Sequence, residues 1–242
     1  MRIDFLYGVF PYVAVGLLAA GTIIRCLLLR NQSATVSAEI SQAWLVFGTG
    51  RLWQISVLLL ICGHLIVVTT PQIILLWNAN RLRLYVLEAA AFGVGLSALA
   101  GWLALMWRNL KRRTSPSLAE LLDTVLLALA FIGIVSGMLC GLLYRWGSSW
   151  GAMILTPYFV SLLNGRPAVS FVLQMPFLVQ LHVFTLFAAV AVIPATRLGA
   201  AIAGAVRATM TWACKPLSVS RCAIAAWVRK HSLASLFWPE ED

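Results

Sequence analysis

The stretch LLLICGHLIVVTTP, residues 58–71, decides the fold of this chain because it is apolar enough for lipid yet contains His64. A run of about 20 mainly apolar residues can cross the hydrocarbon core of a bilayer as one helix. An imidazole inside such a run is costly unless a partner within the protein binds it. The stretch therefore predicts a membrane-spanning helix and marks His64 as a candidate functional residue.

The composition of the whole chain is typical of an integral membrane protein. Of the 242 residues, 61% are hydrophobic and only 11% are charged, with a mean hydropathy of +0.90. A soluble domain carries roughly 25% charged residues. The net charge of +10 does not indicate nucleic-acid binding, because the charges lie between apolar runs and form no basic aromatic groove.

The cysteines exclude several kinds of cofactor site. Five are scattered along the chain, with no C-x-x-C or C-x-x-C-H pattern: Cys26, Cys62, Cys140, Cys214 and Cys222. This spacing argues against a disulfide framework, a cysteine-ligated metal or cluster, and c-type haem attachment.

Five apolar segments predict an all-α bundle of five transmembrane helices, at residues 5–29, 44–70, 84–107, 121–144 and 170–195. The first is too long for a typical signal peptide and is interpreted as a retained span. Basic residues cluster on one side, above all in WRNLKRRTSPS, which predicts an N-terminus outside and a cytoplasmic C-terminus. Residues 1–198 would form the transmembrane domain. Residues 199–242 would form a cytoplasmic helical tail that includes an interfacial helix near its end.

Two histidines, His64 and His182, lie inside the second and fifth predicted spans. These spans run in opposite directions, so facing helices would bring the two imidazoles toward one plane from opposite sides. Such a pair suits bis-histidine ligation of a b-type haem. Gly63, Gly93 and Gly137 would give the flat helix faces that a porphyrin needs. The alternative is two structural histidines, each hydrogen-bonded to a neighbouring helix.

Several short motifs, taken in order, resemble the gamma subunit of respiratory nitrate reductase. They are FPYVA at 10–14, GH and TP within 63–71, KRRTSP at 111–116, Asp123, and LH at 181–182 followed by PATRL at 194–198. The resemblance runs from the first span through the fifth. It implies a membrane cytochrome b that exchanges electrons with quinol and is not catalytic alone.

The resemblance also implies the number of haems. The family usually has four haem-ligating histidines and two stacked haems. Its outer pair falls on His64 and His182, whereas its inner pair falls on Gln54 and Ala200. An amide is a poor ligand for low-spin iron and alanine has no donor. The expected cofactor is therefore one haem b on the outer side.

The family's quinone site lies beside the outer haem, near a lysine whose position is taken here by Arg83, with Arg81 close by. Either cation could hydrogen-bond a quinone carbonyl, or extend to lipid headgroups. Glu88, the only acid clearly inside a span, could accept the quinol proton or pair with Arg81 or Arg83. Asp123, at the start of the fourth span, is expected to cap a helix N-terminus.

Relatives of the family leave the parent complex open. A lone outer haem favours the cytochrome b of the membrane complex associated with dissimilatory sulfite reductase, which pairs with a cytoplasmic iron–sulfur subunit and a periplasmic multihaem cytochrome c. The alternatives are a nitrate reductase gamma subunit that oxidises quinol, and a haemless membrane anchor. Other membrane subunits and lipid are further expected partners, and the inner (cytoplasmic) membrane of the cell, crossed several times, is the expected location. A transporter is disfavoured because there are no inverted repeats.

Overall fold

Eleven helices account for nearly all of the chain that the computed structural model describes, which is residues 2–28, 38, 40–41, 43–44, 46–47, 50–111 and 118–210. In chain order they are α1 (Arg2–Gly8), α2 (Phe10–Leu28), α3 (Arg51–Thr69), α4 (Pro71–Asn78), α5 (Arg81–Lys111), α6 (Leu118–Tyr144), α7 (Gly147–Trp150), α8 (Thr156–Leu163), α9 (Ser170–Leu173), α10 (Phe177–Val192) and α11 (197–210). No β-strand is present among the described residues. Helices α2, α3, α5, α6 and the segment Phe177–Ala195 are long and apolar enough to cross a membrane, which confirms the five predicted spans. Their orientation in the membrane stays a prediction.

The limits of all five predicted spans differ from those of the helices: the first helix begins at Phe10 and the fourth at Leu118, and the other three differ as follows. The second begins at Arg51 rather than at residue 44, because Gly50 is extended with φ −135° and ψ 108°. The third is longer at both ends than residues 84–107. The fifth is divided at Pro176, which is extended and precedes α10; proline lacks the N–H that a continuous helix needs and restricts the residue before it.

Helix α10 packs against α6 and α2, while α3 packs against α5 and α5 against α6. One core cluster joins α2 and α10 to α8 around Tyr158, which is fully buried. Burial raises the pKa of Tyr158, so its hydroxyl stays protonated and donates to the Tyr7 carbonyl at 2.8 Å. The Tyr7 hydroxyl in turn donates to the carbonyl of Gln180 on α10 at 3.0 Å.

Residues 147–173 connect α6 to α10 as a folded segment. It consists of α7, a π-helical turn at Gly151–Leu155, α8, and α9. The predicted spans left out all of it except α9, which lies in the predicted fifth span. Gly165 turns the chain after α8 with φ +69°, a left-handed conformation that glycine adopts without steric cost. The segment packs on α3 and α4, so it covers the end of the bundle where α3 ends and α5 begins. We call this the α4 end.

A tight junction separates α10 from α11. A 3₁₀ turn at Ile193–Ala195 is followed by Thr196, whose hydroxyl accepts the Gly199 N–H at 3.3 Å, as an N-cap residue does. Residues 197–210 form α11 as a helix of its own, with Ala200 and Ala203 buried. The division of the chain into domains at residue 198 stays a prediction. The predicted interfacial helix lies outside the described residues.

Asp123 stabilises this junction. It is 3% exposed, its Oδ1 accepts the Arg197 N–H at 3.0 Å, and its Oδ2 lies 3.5 Å from Arg197 Nη1. Asp123 lies in the second turn of α6, so the expectation that it caps its own helix was wrong. Its carboxylate instead lies against the N-terminus of α11, where the helix dipole stabilises a negative charge.

Candidate functional site

His64 of α3 and His182 of α10 lie side by side. Their ring centroids are 5.8 Å apart and their planes are inclined by 34°. Two metal–imidazole bonds of about 2 Å each, added to the ring radii, would separate the centroids of two axial ligands by ~6 Å. The spacing of the two rings therefore fits one metal ion held between them.

The imidazole of His182 is held by three residues of α6, Gly133, Ser136 and Gly137, which we call the α6 socket. His182 Nδ1 lies 2.9 Å from the Gly133 carbonyl oxygen and 3.2 Å from Ser136 Oγ. Ser136 Oγ donates to the same carbonyl at 3.1 Å. A Cβ on Gly137 would lie 2.8 Å from Cε1 of the imidazole, so only glycine lets the ring approach α6 this closely.

The imidazole of His64 is fixed by its own helix. Its Nδ1 lies 2.7 Å from the Leu60 carbonyl oxygen, one turn earlier in α3, and the side chain is exposed. A carbonyl can only accept a hydrogen bond, so in the neutral ring the proton is assigned to Nδ1. The same argument applies to His182. Each ring then keeps the Nε2 lone pair free, which is the form in which histidine ligates a metal.

The three glycines that were predicted to pack against the haem have different surroundings. A Cβ on Gly63 or Gly93 would meet no heavy atom within 4 Å, so both helix faces are open there. Gly137 contacts the imidazole of His182 itself. Its packing therefore positions the ring, and the role of the three glycines in haem packing stays a prediction.

The other half of the α3–α5 interface is closed by direct packing. Trp53 of α3 is buried with Leu105 and Leu127, and a Cβ on Gly101 of α5 would lie 2.8 Å from the Trp53 backbone. The Trp102 indole donates to the Leu127 carbonyl at 2.9 Å. The backbones of α3 and α5 are thus in contact one residue before Gln54, the position at which the resemblance predicts an inner haem ligand in relatives.

The predicted quinone residues lie at the α4 end. The Arg83 guanidinium is 5.4 Å from the centroid of Trp77, whose indole donates to the Arg83 carbonyl at 3.2 Å. Glu88 Oε1 accepts two hydrogen bonds from Ser148, at 2.8 Å from its N–H and 2.7 Å from its hydroxyl. Within residues 50–111 and 118–210, Glu88 forms no ion pair with Arg81 or Arg83, so that alternative was wrong.

A polar network at this end was not predicted. The Asn78 amide donates to the hydroxyls of Ser148 and Ser149, both at 2.9 Å. Just before α7, Arg145 and Trp146 have left-handed backbones with φ 38° and 58°, and the Trp146 ring packs 5.4 Å from Tyr85. Such strain in residues other than glycine persists only where the surroundings enforce it, often near functional sites. The adjacent serines after Gly147 were the sequence signal for this network.

The imidazole pair is the donor set that this site offers to a metal. Among the described residues, no group of three or more His, Cys, Asp or Glu side chains could hold a metal ion. A haem needs only two protein ligands, because the porphyrin supplies the other four nitrogens. Two neutral imidazoles with free Nε2 atoms fit that requirement.

The fold and the site together define a polytopic α-helical membrane protein with a two-histidine site between two of its spans. Within that class, the chain belongs to the nitrate reductase gamma subunit family, whose model matches residues 3–221. The comparison with curated proteins yields no match. The family match confirms the predicted resemblance, and it covers all five spans and both histidines. The sulfite-reductase-associated subgroup stays a prediction.

Proposed function

We propose that this chain is the membrane cytochrome b subunit of a respiratory complex and carries electrons between the quinone pool and a partner iron–sulfur subunit. The observation that carries the proposal is the imidazole pair, with ring centroids 5.8 Å apart and each Nδ1 on a backbone carbonyl. Family membership supports the same assignment. A haem b bound there would supply one-electron redox chemistry that no side chain offers.

The residues of the chain would hold and orient this group. His64 and His182 would hold the iron, each presenting Nε2 as a neutral donor. Gly63 and Gly93 would leave room on the faces of α3 and α5. The α6 socket would fix the plane of the His182 ring, and ligand orientation of this kind tunes a metal site.

A single haem is proposed because the second site lacks both ligands and space. Gln54 and Ala200 stand at the inner-ligand positions, α3 touches α5 at Trp53 and Gly101, and Ala200 is 1% exposed. We expect a pyridine haemochrome assay of the purified protein to give one haem b per chain, with a b-type α-band in the reduced-minus-oxidised spectrum. Two haems would contradict the stoichiometry. A protein with no α-band would instead be the haemless anchor.

The proposed quinone site is at the α4 end, with Arg83 and Arg81 as hydrogen-bond donors to the quinone and Glu88 as proton acceptor. Three observations support the role of Glu88. Both donors from Ser148 go to Oε1, whereas Oε2 faces Gly147, where a Cβ would lie 3.5 Å from it. Asn78 holds the Ser148 hydroxyl in place. One carboxylate oxygen is thus fixed while the other is available.

Glu88→Gln is expected to slow haem reduction by a reduced quinol analogue by roughly a hundredfold, the lower end of the effect of a positioned proton acceptor. Glutamine keeps an oxygen for Ser148, so the packing at the α4 end is retained. The measurement is stopped-flow absorbance of the intact complex in detergent. Arg166→Gln, which changes an exposed arginine away from Glu88, is the control. An unchanged rate in Glu88→Gln would leave this residue with a purely structural role.

The parent complex is proposed to be the sulfite-reductase-associated type, in the inner (cytoplasmic) membrane with the N-terminus outside. One haem near the α4 end suits a complex that also exchanges electrons with a periplasmic multihaem cytochrome c. The alternative, a nitrate reductase gamma subunit, fits the family match as well as this proposal does. Purification of the native complex separates the two: a molybdenum-containing subunit indicates nitrate reduction, whereas an iron–sulfur subunit with a multihaem cytochrome indicates sulfur metabolism.

A further inference from the structure

We propose that Ser136 is a positioning residue for His182, and that its hydroxyl raises the midpoint potential of the bound haem by competing for the Gly133 carbonyl oxygen. This inference rests on the proposed function, because it needs His182 to be an axial ligand. It adds a residue that touches neither the iron nor the quinone and that acts only through the imidazole.

The competition follows from the number of donors at one oxygen. The Gly133 carbonyl accepts His182 Nδ1–H at 2.9 Å and the Ser136 hydroxyl at 3.1 Å. In an α-helix it also accepts the backbone N–H four residues later. A carbonyl oxygen has two lone pairs, so three donors share an acceptor suited to two. Ser136 is 2% exposed, so no bulk water competes for its hydroxyl.

The effect on potential follows from the chemistry of the ligand. A stronger hydrogen bond from Nδ1–H makes an imidazole more electron-rich, which stabilises the oxidised iron and lowers the potential. By taking part of the acceptor strength of Gly133, the Ser136 hydroxyl weakens that bond. Its own oxygen lies 3.2 Å from Nδ1, and at that longer distance it is a weaker acceptor than the Gly133 carbonyl, so the competition outweighs it. The wild-type potential is therefore higher than the same ligands would give without the hydroxyl.

The test is a redox titration of the full-length protein with haem bound, followed at the α-band. In Ser136→Ala, we expect the ratio of oxidised to reduced haem at the wild-type midpoint to rise by about fivefold, as for one redistributed neutral hydrogen bond. Ser136→Thr keeps the hydroxyl and is expected to restore the wild-type midpoint. Ser97→Ala is the matched control, because Ser97 Oγ donates to the Gly93 carbonyl in the same way, at 2.9 Å, without an imidazole at that carbonyl.

The outcomes separate this inference from the proposed function. Wild-type protein without haem would overturn the proposed function itself. Wild-type protein with haem, together with an unchanged or higher midpoint in Ser136→Ala, would overturn only the role of Ser136. Loss of haem from Ser136→Ala would also overturn it, because the Gly133 carbonyl alone is expected to hold His182.

Discussion

Replacing His182 with alanine is expected to abolish the b-type spectrum while the protein still accumulates in the membrane. The imidazole is one of two proposed ligands, and nothing in the α6 socket can replace it, since Gly133 offers only a carbonyl and Ser136 a hydroxyl that already donates to it. The fold should survive because α10 is also held by the core cluster around Val183 and Phe187. Haem per chain, measured after affinity purification, is the decisive quantity.

Two further histidine variants make this result specific. His64→Ala should also lose the six-coordinate low-spin spectrum, because His64 is the other proposed ligand. His231→Ala changes the third histidine of the chain, outside both spans, and should keep the wild-type spectrum. If His182→Ala and His64→Ala both showed the wild-type α-band, the two imidazoles would serve only to join helices.

The spans and the meeting of the histidines were predictable because they depend on strong, local signals. Each span is a long apolar run, and the order of the runs alone places the second and fifth spans antiparallel. His64 and His182 each stand near the same end of their spans, so they meet once α3 and α10 come together beside α6. The helix break at Pro176 was also readable in principle, since proline disfavours a continuous helix at that point.

The details of the site depended on contacts between distant residues, which no local pattern carries. Ser136 is an ordinary small residue in the sequence, and its proposed role follows only from sharing the Gly133 carbonyl with His182. Asp123 seemed to be a cap for its own helix, whereas α6 places it against Arg197, 74 residues later. Ser148 belongs to a segment that the apolar runs left out. In each case, packing between elements decided the role of the side chain.

The second large effect is expected from Gly137→Ala, which should reduce haem occupancy severely. The added Cβ would lie 2.8 Å from Cε1 and 3.2 Å from Nδ1 of His182, so the ring must move away from the α6 socket. A ligand site tolerates displacement of only about 0.5 Å. The shift would weaken the bond from Nδ1 to the Gly133 carbonyl and turn Nε2 away from the ligating position. We expect less than about half of the wild-type haem per chain.

Gly141→Ala provides the matched comparison, because Gly141 lies one turn further along α6 and a Cβ there meets no heavy atom within 4 Å. Alanine favours an α-helix over glycine by about 1 kcal/mol at either position, so helix propensity changes equally in the two variants. Gly141→Ala should therefore keep full haem occupancy and a thermal midpoint at or above that of the wild type. Equal haem content in the two variants would show that the imidazole does not depend on its close approach to Gly137. Loss of haem from Gly137→Ala but not from Gly141→Ala would mean that His182 can ligate the haem only because Gly137 has no side chain.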